Sequence, residues 1–413
     1  MKKKLLQLTD INSNSISLAN LKFPINYLDT GNLIDNHITR LEEIKNASAL
    51  PSRARRLVEA DTILISMVRP NQRHFGYVTN PNMVVSTGFA TLKIKDKVKY
   101  SSKYLYYALT TKSITDYLHR IAKNAASSYP SLTPEDLEQL EIDFPDTLDK
   151  QNEIADFLSL LDLRIENNRF IYSRILQSLQ DIFAFWFIQF DFPDQTGKPY
   201  STSGGSMRLE KSLGRKIPSD WKLGVLSDIV SIGSGYSFKS DSYLDTGRYK
   251  IVTIKNVQDN FLDLESVNFV NELPANLPEK CRLSLGDILI SLTGNVGRVC
   301  LVDSPNLLLN QRVGVLQGTP AQLVFAYLFF NRAESRKRID NLASGSSQDN
   351  LSPLDLTDDE IVIPDGRVLE MFYEYVRPFF DKLVSIGEEQ RFFAEKKSYY
   401  LEGMLSGSIL FKE

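Results

Sequence analysis

Two short polar loops carry side chains suited to reading the edge of a nucleobase. RPNQRH (Arg69–His74) and TGNVGR (Thr293–Arg298) each follow a copy of the tetrapeptide Ile-Leu-Ile-Ser. Arginine presents a forked pair of donors that matches guanine. Asparagine and glutamine set a donor beside an acceptor, which matches adenine. A second pair of loops is rich in small hydroxyl residues, NAASSYPS (124–131) and ASGSSQDN (343–350). Such residues allow close approach to phosphate. The candidate contact residues in the first half are Ser66, Arg69, Asn71, Gln72, Arg73, His74, Ser127, Ser128 and Tyr129. In the second half they are Lys255, Asn256, Ser291, Thr293, Asn295, Arg298, Gln311, Arg312, Ser346, Ser347 and Gln348. Any one of these loops read alone is an exposed turn. Two of them in one frame, with different polar letters, suit a reader of two different sequences.

Catalytic chemistry finds no comparable pattern. The three histidines are scattered and the two cysteines stand 19 apart, so no zinc-ligand spacing exists. GKPYS at Gly197 lacks the frame of a phosphate-binding loop, and GSGYS at Gly233 lacks the strand and helix of a dinucleotide site. No Gly-x-Ser-x-Gly elbow occurs. The Asp358–Glu360 carboxylates read as a solvated helix end. Composition is that of a globular protein, with 42% hydrophobic and 24% charged residues. A formal net charge of −3 gives no global basic signature. Phosphate contacts would then rest on local charge or on a partner. No apolar run is long enough to cross a membrane. MKKKLLQLTD has a basic tip but no apolar core, so a cytoplasmic location with free, buried Cys281 and Cys300 is expected.

The elements that must hold the loops are written twice. Ile63–Ser66 matches Ile288–Ser291 at an offset of 225. AASSYPSLTPEDLEQLEIDFPD (125–146) matches SGSSQDNLSPLDLTDDEIVIPD (344–365), with ten identities in twenty-two positions and no gap. SLTPEDL and NLSPLDL each predict a short capped helix. Thr133 or Ser352 is the N-cap, proline follows, and Asp136 or Asp355 stands three residues after the cap. LEIDFPD and DEIVIPD predict short closing strands, and the Ile-Leu-Ile-Ser runs predict buried ones.

A long helical pattern follows each repeat. Apolar residues recur in steps of three and four at Ile154, Phe157, Leu161, Ile165, Tyr172, Ile175, Leu179, Ile182 and Trp186, with Asn168 the polar seam position. The second series is Val368, Phe372, Val376, Phe379, Leu383, Ile386, Phe393, Tyr400 and Met404, interrupted by Gln390 and Lys397. Helices of about 40 residues span about 60 Å, and an antiparallel pair is the expected packing. The stretch 195–221 is rich in Gly, Ser, Lys and Pro and reads as a linker.

YLDTG occurs at 27–31 and again at 243–247, an offset of 216 that conflicts with 225. Setting NLIDN (32–36) against NVQDN (256–260) gives 224. The pentapeptide is then a coincidence inside a real duplication, and Tyr27–Gly31 aligns with Ile251–Lys255.

With these motifs the chain resembles the specificity subunit of type I restriction–modification systems over essentially its whole length. DILISLTGNVGRV (287–299) and LNQRVGVL (309–316) resemble a target recognition domain. DKQNEIADFLSLLDLRIENN (149–168) resembles the start of the central spacer helix. DIFAFWFIQFDFP (181–193), LGRKIPSDWKLGVLSDI (213–229) and LEGMLSGSI (401–409) resemble the later junctions. The resemblance implies an α+β chain with two globular α/β recognition domains in pseudo-two-fold repeat, separated by two long antiparallel helices. The expected boundaries are recognition domain 1–146, long helix 147–194, linker 195–215, recognition domain 216–365 and C-terminal long helix 366–413. Each recognition domain would read one half of a bipartite site on double-stranded DNA. The helices would set the gap, each added turn of ~5.4 Å lengthening it by roughly one to two base pairs. The same resemblance implies two methyltransferase subunits and the restriction subunits as partners. SAM, ATP and Mg would be held in those partners and no cofactor in this non-catalytic chain. A fused type IIB-like chain shares these motifs, and a duplicated protein-interaction adaptor that does not bind DNA is the alternative.

Overall fold

The computed structural model describes residues 2–14, 21–124, 130–345 and 351–409. Its contacts divide the chain into two units, residues 1–167 with 392–413, and residues 168–391. Each is built on the same plan.

In the first unit one sheet has the order Thr9–Ile11, Phe89–Ile94, Ile63–Ser66, Phe75–Tyr77. A second has the order Glu42–Ile44, Ile25–Leu28, Met83–Ser86, Ala54–Leu57, with Ile25–Leu28 and Met83–Ser86 parallel. Helices Ser102–Leu109, Lys112–Asn124 and Pro134–Glu138 follow, and Glu141–Asp143 closes the fold by pairing with Lys2–Lys4. All four residues of Ile63–Ser66 are buried, as expected of a continuous apolar run between two layers.

The second unit repeats this order strand for strand. Its sheets run Ser231–Ser234, Val313–Gln317, Ile288–Ser291, Val299–Leu301, and Asn268–Val270, Tyr249–Val252, Leu307–Leu309, Arg282–Leu283. Tyr249–Val252 lies 224 residues after Ile25–Leu28, and Ile288–Ser291 lies 225 after Ile63–Ser66. The second YLDTG falls upstream, in the loop before Tyr249, so its coincidence with the first is accidental. Both capping boxes form: Thr133 with Asp136, and Ser352 with Asp355, each accept from the other's backbone N–H.

The long helices are Leu148–Phe183, extended by a π turn at Ala184–Ile188, and Gly366–Leu405. Each unit contains part of both. In the first unit Phe157 meets Tyr400 at 5.0 Å, Asp162 pairs with Lys397 at 2.5 Å, and Arg164 lies over Phe393 at 5.7 Å. One number rises as the other falls, so the segments run antiparallel. Lys397, expected as an interruption, is thus a half-buried ion-pair partner. Leu158 and Leu401 enter the same core as Leu5, Leu118 and Leu137. In the second unit Leu179, Phe183 and Trp186 pack with Phe372, Val376 and Leu383 around helix Pro320–Phe330. One seam residue differs from expectation. Phe379 is 42% exposed and Phe380 is buried, because the step after Val376 is four rather than three.

The expected linker is partly structured. Met207–Glu210 pairs antiparallel with Arg215–Pro218. Gly214 turns between them at φ +62°, and the hairpin buries Ile217 beside Trp221. Alternating apolar residues on either side of a Gly turn outweigh the flexible composition around them.

Candidate nucleic-acid interface

In the first unit the loop after Ile63–Ser66 is pinned at both ends. Ser66 Oγ donates to the Val68 carbonyl at 2.8 Å and accepts from Val68 N–H at 3.2 Å. Arg69 and Arg73 adopt φ +49° and +57°, bracketing a 3-10 turn at Pro70–Gln72. The chain then reverses, and Ser66 N–H donates to the His74 carbonyl at 3.0 Å. Arg73 Nε donates to Asp35 at 2.7 Å, and its Nη2 reaches the Thr110 carbonyl at 3.4 Å. His74 Nδ1 donates to the Leu33 carbonyl at 2.6 Å, and its Nε2 lies 3.2 Å from Gln72 Oε1. Ser66, Arg73 and His74, expected among the DNA contacts, are therefore held by the protein's own backbone and carboxylates. Arg69, Asn71 and Gln72 remain on the surface.

The second unit uses the same scheme with different residues. Ser291 Oγ donates to the Asn295 carbonyl at 2.5 Å and accepts from Arg298 N–H at 3.0 Å. The left-handed positions are now Gly294 and Gly297, φ +68° and +78°. Arg298 binds Gln258 through Nη1, and its Nε lies 3.6 Å from Asp259. Arg336, on helix Ala333–Gly345, also pairs with Asp259 and donates to the Gly297 carbonyl at 2.5 Å. Burial pulls the Arg336 guanidinium below its ordinary pKa. Thr293 is half-buried and its hydroxyl has no partner.

Asn256 does not face outward. It is 2% exposed, accepts from Thr253 N–H and Oγ1 at 2.7 and 2.8 Å, and donates to the Asp263 carbonyl at 2.8 Å. It braces a turn, the usual work of a short amide beside backbone. That turn lies against the loop, since Gly294 faces Ile254. Leu292 N–H donates to the Arg312 carbonyl at 3.3 Å, which brings Gln311 and Arg312 alongside. Lys255, Asn295, Gln311 and Arg312 are all exposed on this side. Ser127, Ser128, Tyr129, Ser346, Ser347 and Gln348 lie outside the described residues.

The repeat identifies a surface the first-unit motifs did not. Met67 N–H donates to the Gly88 carbonyl at 2.8 Å, as Leu292 does to Arg312, 224 residues further on. Exposed Thr87 thus corresponds to Gln311, and its N–H donates to the Arg53 carbonyl at 2.8 Å. Aligning the turns at 224 would have found it; VVSTGF carries too few polar letters to stand out unaided.

The family model for the type I restriction modification DNA specificity domain matches residues 2–177 and 218–367. The chain belongs to this family. As a type I specificity chain it is 23% identical to the type I restriction enzyme HindI specificity subunit of Haemophilus influenzae, covering 93% of this chain and 94% of that one. It is 26% identical to the MjaIX specificity subunit of Methanocaldococcus jannaschii, covering 84% of this chain and 78% of the relative. Its fold is similar to that of the type I system S subunit from M. genitalium, with TM-score 0.54, 18% identity, and coverage of 97% and 95%. Among the described residues of this type I specificity chain, no group of three metal-ligating side chains comes together and no helix is long and apolar enough to cross a membrane.

Proposed function

We propose that each unit reads one half of a bipartite site on double-stranded DNA, without catalysis by this chain. The observation that supports this best is the repeated loop seat. The same Ser anchor and Arg–Asp closure present Arg69, Asn71 and Gln72 in one unit and Asn295 beside Lys255, Gln311 and Arg312 in the other. A constant frame with changed polar letters is what two different half-sites require. The long helices set the spacing and dock two methyltransferase subunits, with restriction subunits joining them in the cytoplasm. SAM, ATP and Mg belong to those partners. Exposed apolar side chains on the helices fit such docking: Leu160, Leu163 and Tyr399 in the first unit, Met371, Tyr375 and Phe379 in the second. They would equally fit the adaptor reading. Footprinting of the complex with its methyltransferase decides between them. Protection of two half-sites is expected. Exchanging residues 69–74 for the loop of a relative should change one half-site only, and protection that ignores sequence would refute the proposal.

A further inference from the structure

One carboxylate–arginine closure recurs at equivalent places in both units. Leu33–Ile34 with His37–Ile38, and Val257–Gln258 with Phe261–Leu262, form tiny hairpins 224 residues apart. Asp35 and Asp259 sit at their tips, each followed by an asparagine in left-handed geometry, Asn36 at φ +68° and Asn260 at +65°. Arg73 and Arg298, 225 apart, are the matching residues at the far ends of the two loops. Ser66 Oγ ties the near end of the first loop to Val68, and Ser291 Oγ ties the second loop across its mouth, to the Asn295 carbonyl and Arg298 N–H. The arginine side chain adds a further fixed point at the far end of each loop, and the exposed side chains lie before it. Its guanidinium is committed to the protein, to Asp35 and the Thr110 carbonyl in one unit and to Gln258 and Asp259 in the other. A bidentate grip on guanine needs two adjacent donors of one fork; on Arg73 the adjacent Nε and Nη2 already donate to Asp35 and the Thr110 carbonyl, and on Arg298 Nη1 donates to Gln258 with Nε beside Asp259.

We infer that Asp35–Arg73 and Asp259–Arg298, the latter reinforced by Arg336, are positioning residues that set each reading loop separately. The inference rests on the DNA-reading proposal and assigns these arginines a role in holding rather than in touching bases. A loop released at this end keeps its serine anchor and its surrounding fold. It loses the fixed direction from which its polar side chains approach a base edge, and misplacement of that kind degrades a geometric contact without abolishing it.

The test uses the chain assembled with its methyltransferase partner. Asp35→Asn and Asp259→Asn keep the size of the side chain and remove its charge. Binding is measured on the cognate duplex and on duplexes with single base changes in either half. Asp35→Asn should reduce discrimination about tenfold in one half-site and leave the other unchanged, and Asp259→Asn should do the reverse. Unfolding should stay cooperative in both variants. Unchanged discrimination in both halves overturns the inference. So do Arg73→Ala and Arg298→Ala variants that weaken binding uniformly on every duplex with a salt slope smaller by about one, because that marks the arginine as a phosphate contact. Equal loss in both halves together with loss of cooperative unfolding overturns it as well, since the pair would then be structural only. If the unaltered complex shows no sequence preference at all, the DNA-reading proposal fails first.

Discussion

Replacing Tyr327 by Phe removes one oxygen from a chain of three side chains in the second unit. The Tyr327 hydroxyl donates to Asn260 Oδ1 at 2.9 Å and lies 3.2 Å from the Tyr172 hydroxyl. Tyr172 belongs to the first long helix, Tyr327 to the core helix, and Asn260 to the hairpin that carries Asp259. Tyr327 is wholly buried, and burial holds its hydroxyl pKa well above the usual value, so it remains a neutral donor across any practical pH. The ring packing survives in Phe. What is lost is two hydrogen bonds at about 1 kcal/mol each, so the variant should cost the second unit about 2 kcal/mol. Tyr172→Phe deletes only the outer bond and should cost about 1 kcal/mol. Because both changes remove the same Tyr172–Tyr327 contact, the double variant should cost less than the sum, by roughly 0.5–1 kcal/mol. Denaturant unfolding followed by tryptophan fluorescence isolates the effect. The chain has two tryptophans, Trp186 and Trp221, and both are buried in the second unit. A Tyr327→Phe midpoint within about 0.5 kcal/mol of the unaltered chain would refute the reasoning.

Two further outcomes follow from single contacts. A Cβ on Gly235 would stand 2.2 Å from the Asn310 carbonyl oxygen, which is backbone and cannot swing aside. Gly235→Ala should cost the second unit about 3 kcal/mol in the same fluorescence assay, while Gly366→Ala, in the same unit and facing open space, should stay within about 0.5 kcal/mol. Asp303 pairs with Arg391 at 2.5 Å, yet burial outweighs the guanidinium and leaves its pKa raised. The folded state then holds a proton that the unfolded chain has released. The contribution of this group to stability is present below the ordinary carboxylate value of about 4 and falls as pH rises to the raised one. Comparing the unaltered chain with Asp303→Asn over that interval should show a downward slope that the variant lacks; an upward slope would reverse the assignment.

The duplication was legible because strands and caps obey local rules. Continuous apolar tetrapeptides, a Thr or Ser three residues before an Asp, and the NLIDN–NVQDN match each place an element without reference to anything distant. The loops were harder for a physical reason. A polar side chain carries the same letters whether it faces solvent or backbone. Asn256 and the two serines satisfy backbone groups within ten residues, and nothing in the sequence separates that use from contact with a ligand. Arg73 finds its carboxylate 38 positions away and Arg298 finds Asp259 39 away, pairings that only the folded hairpins create. The repeated Asp-Asn at the hairpin tips was the one available hint. Phe379 and Phe380 differ by one position on a helix, and only the packed seam decides which is inside.

The division of the chain has a consequence for how it is made. The first unit takes residues from both sides of the second in chain order, and its core includes Leu401. The second unit is one continuous stretch. On the ribosome, residues 168–391 must all be synthesised before the last helical segment of the first unit exists, a delay on the order of 10–45 s. During that interval the nascent helix beginning at Leu148 carries Ala155 and Leu158 without the segment that completes their core. The half of the molecule whose synthesis begins first is therefore the half whose chain is completed last.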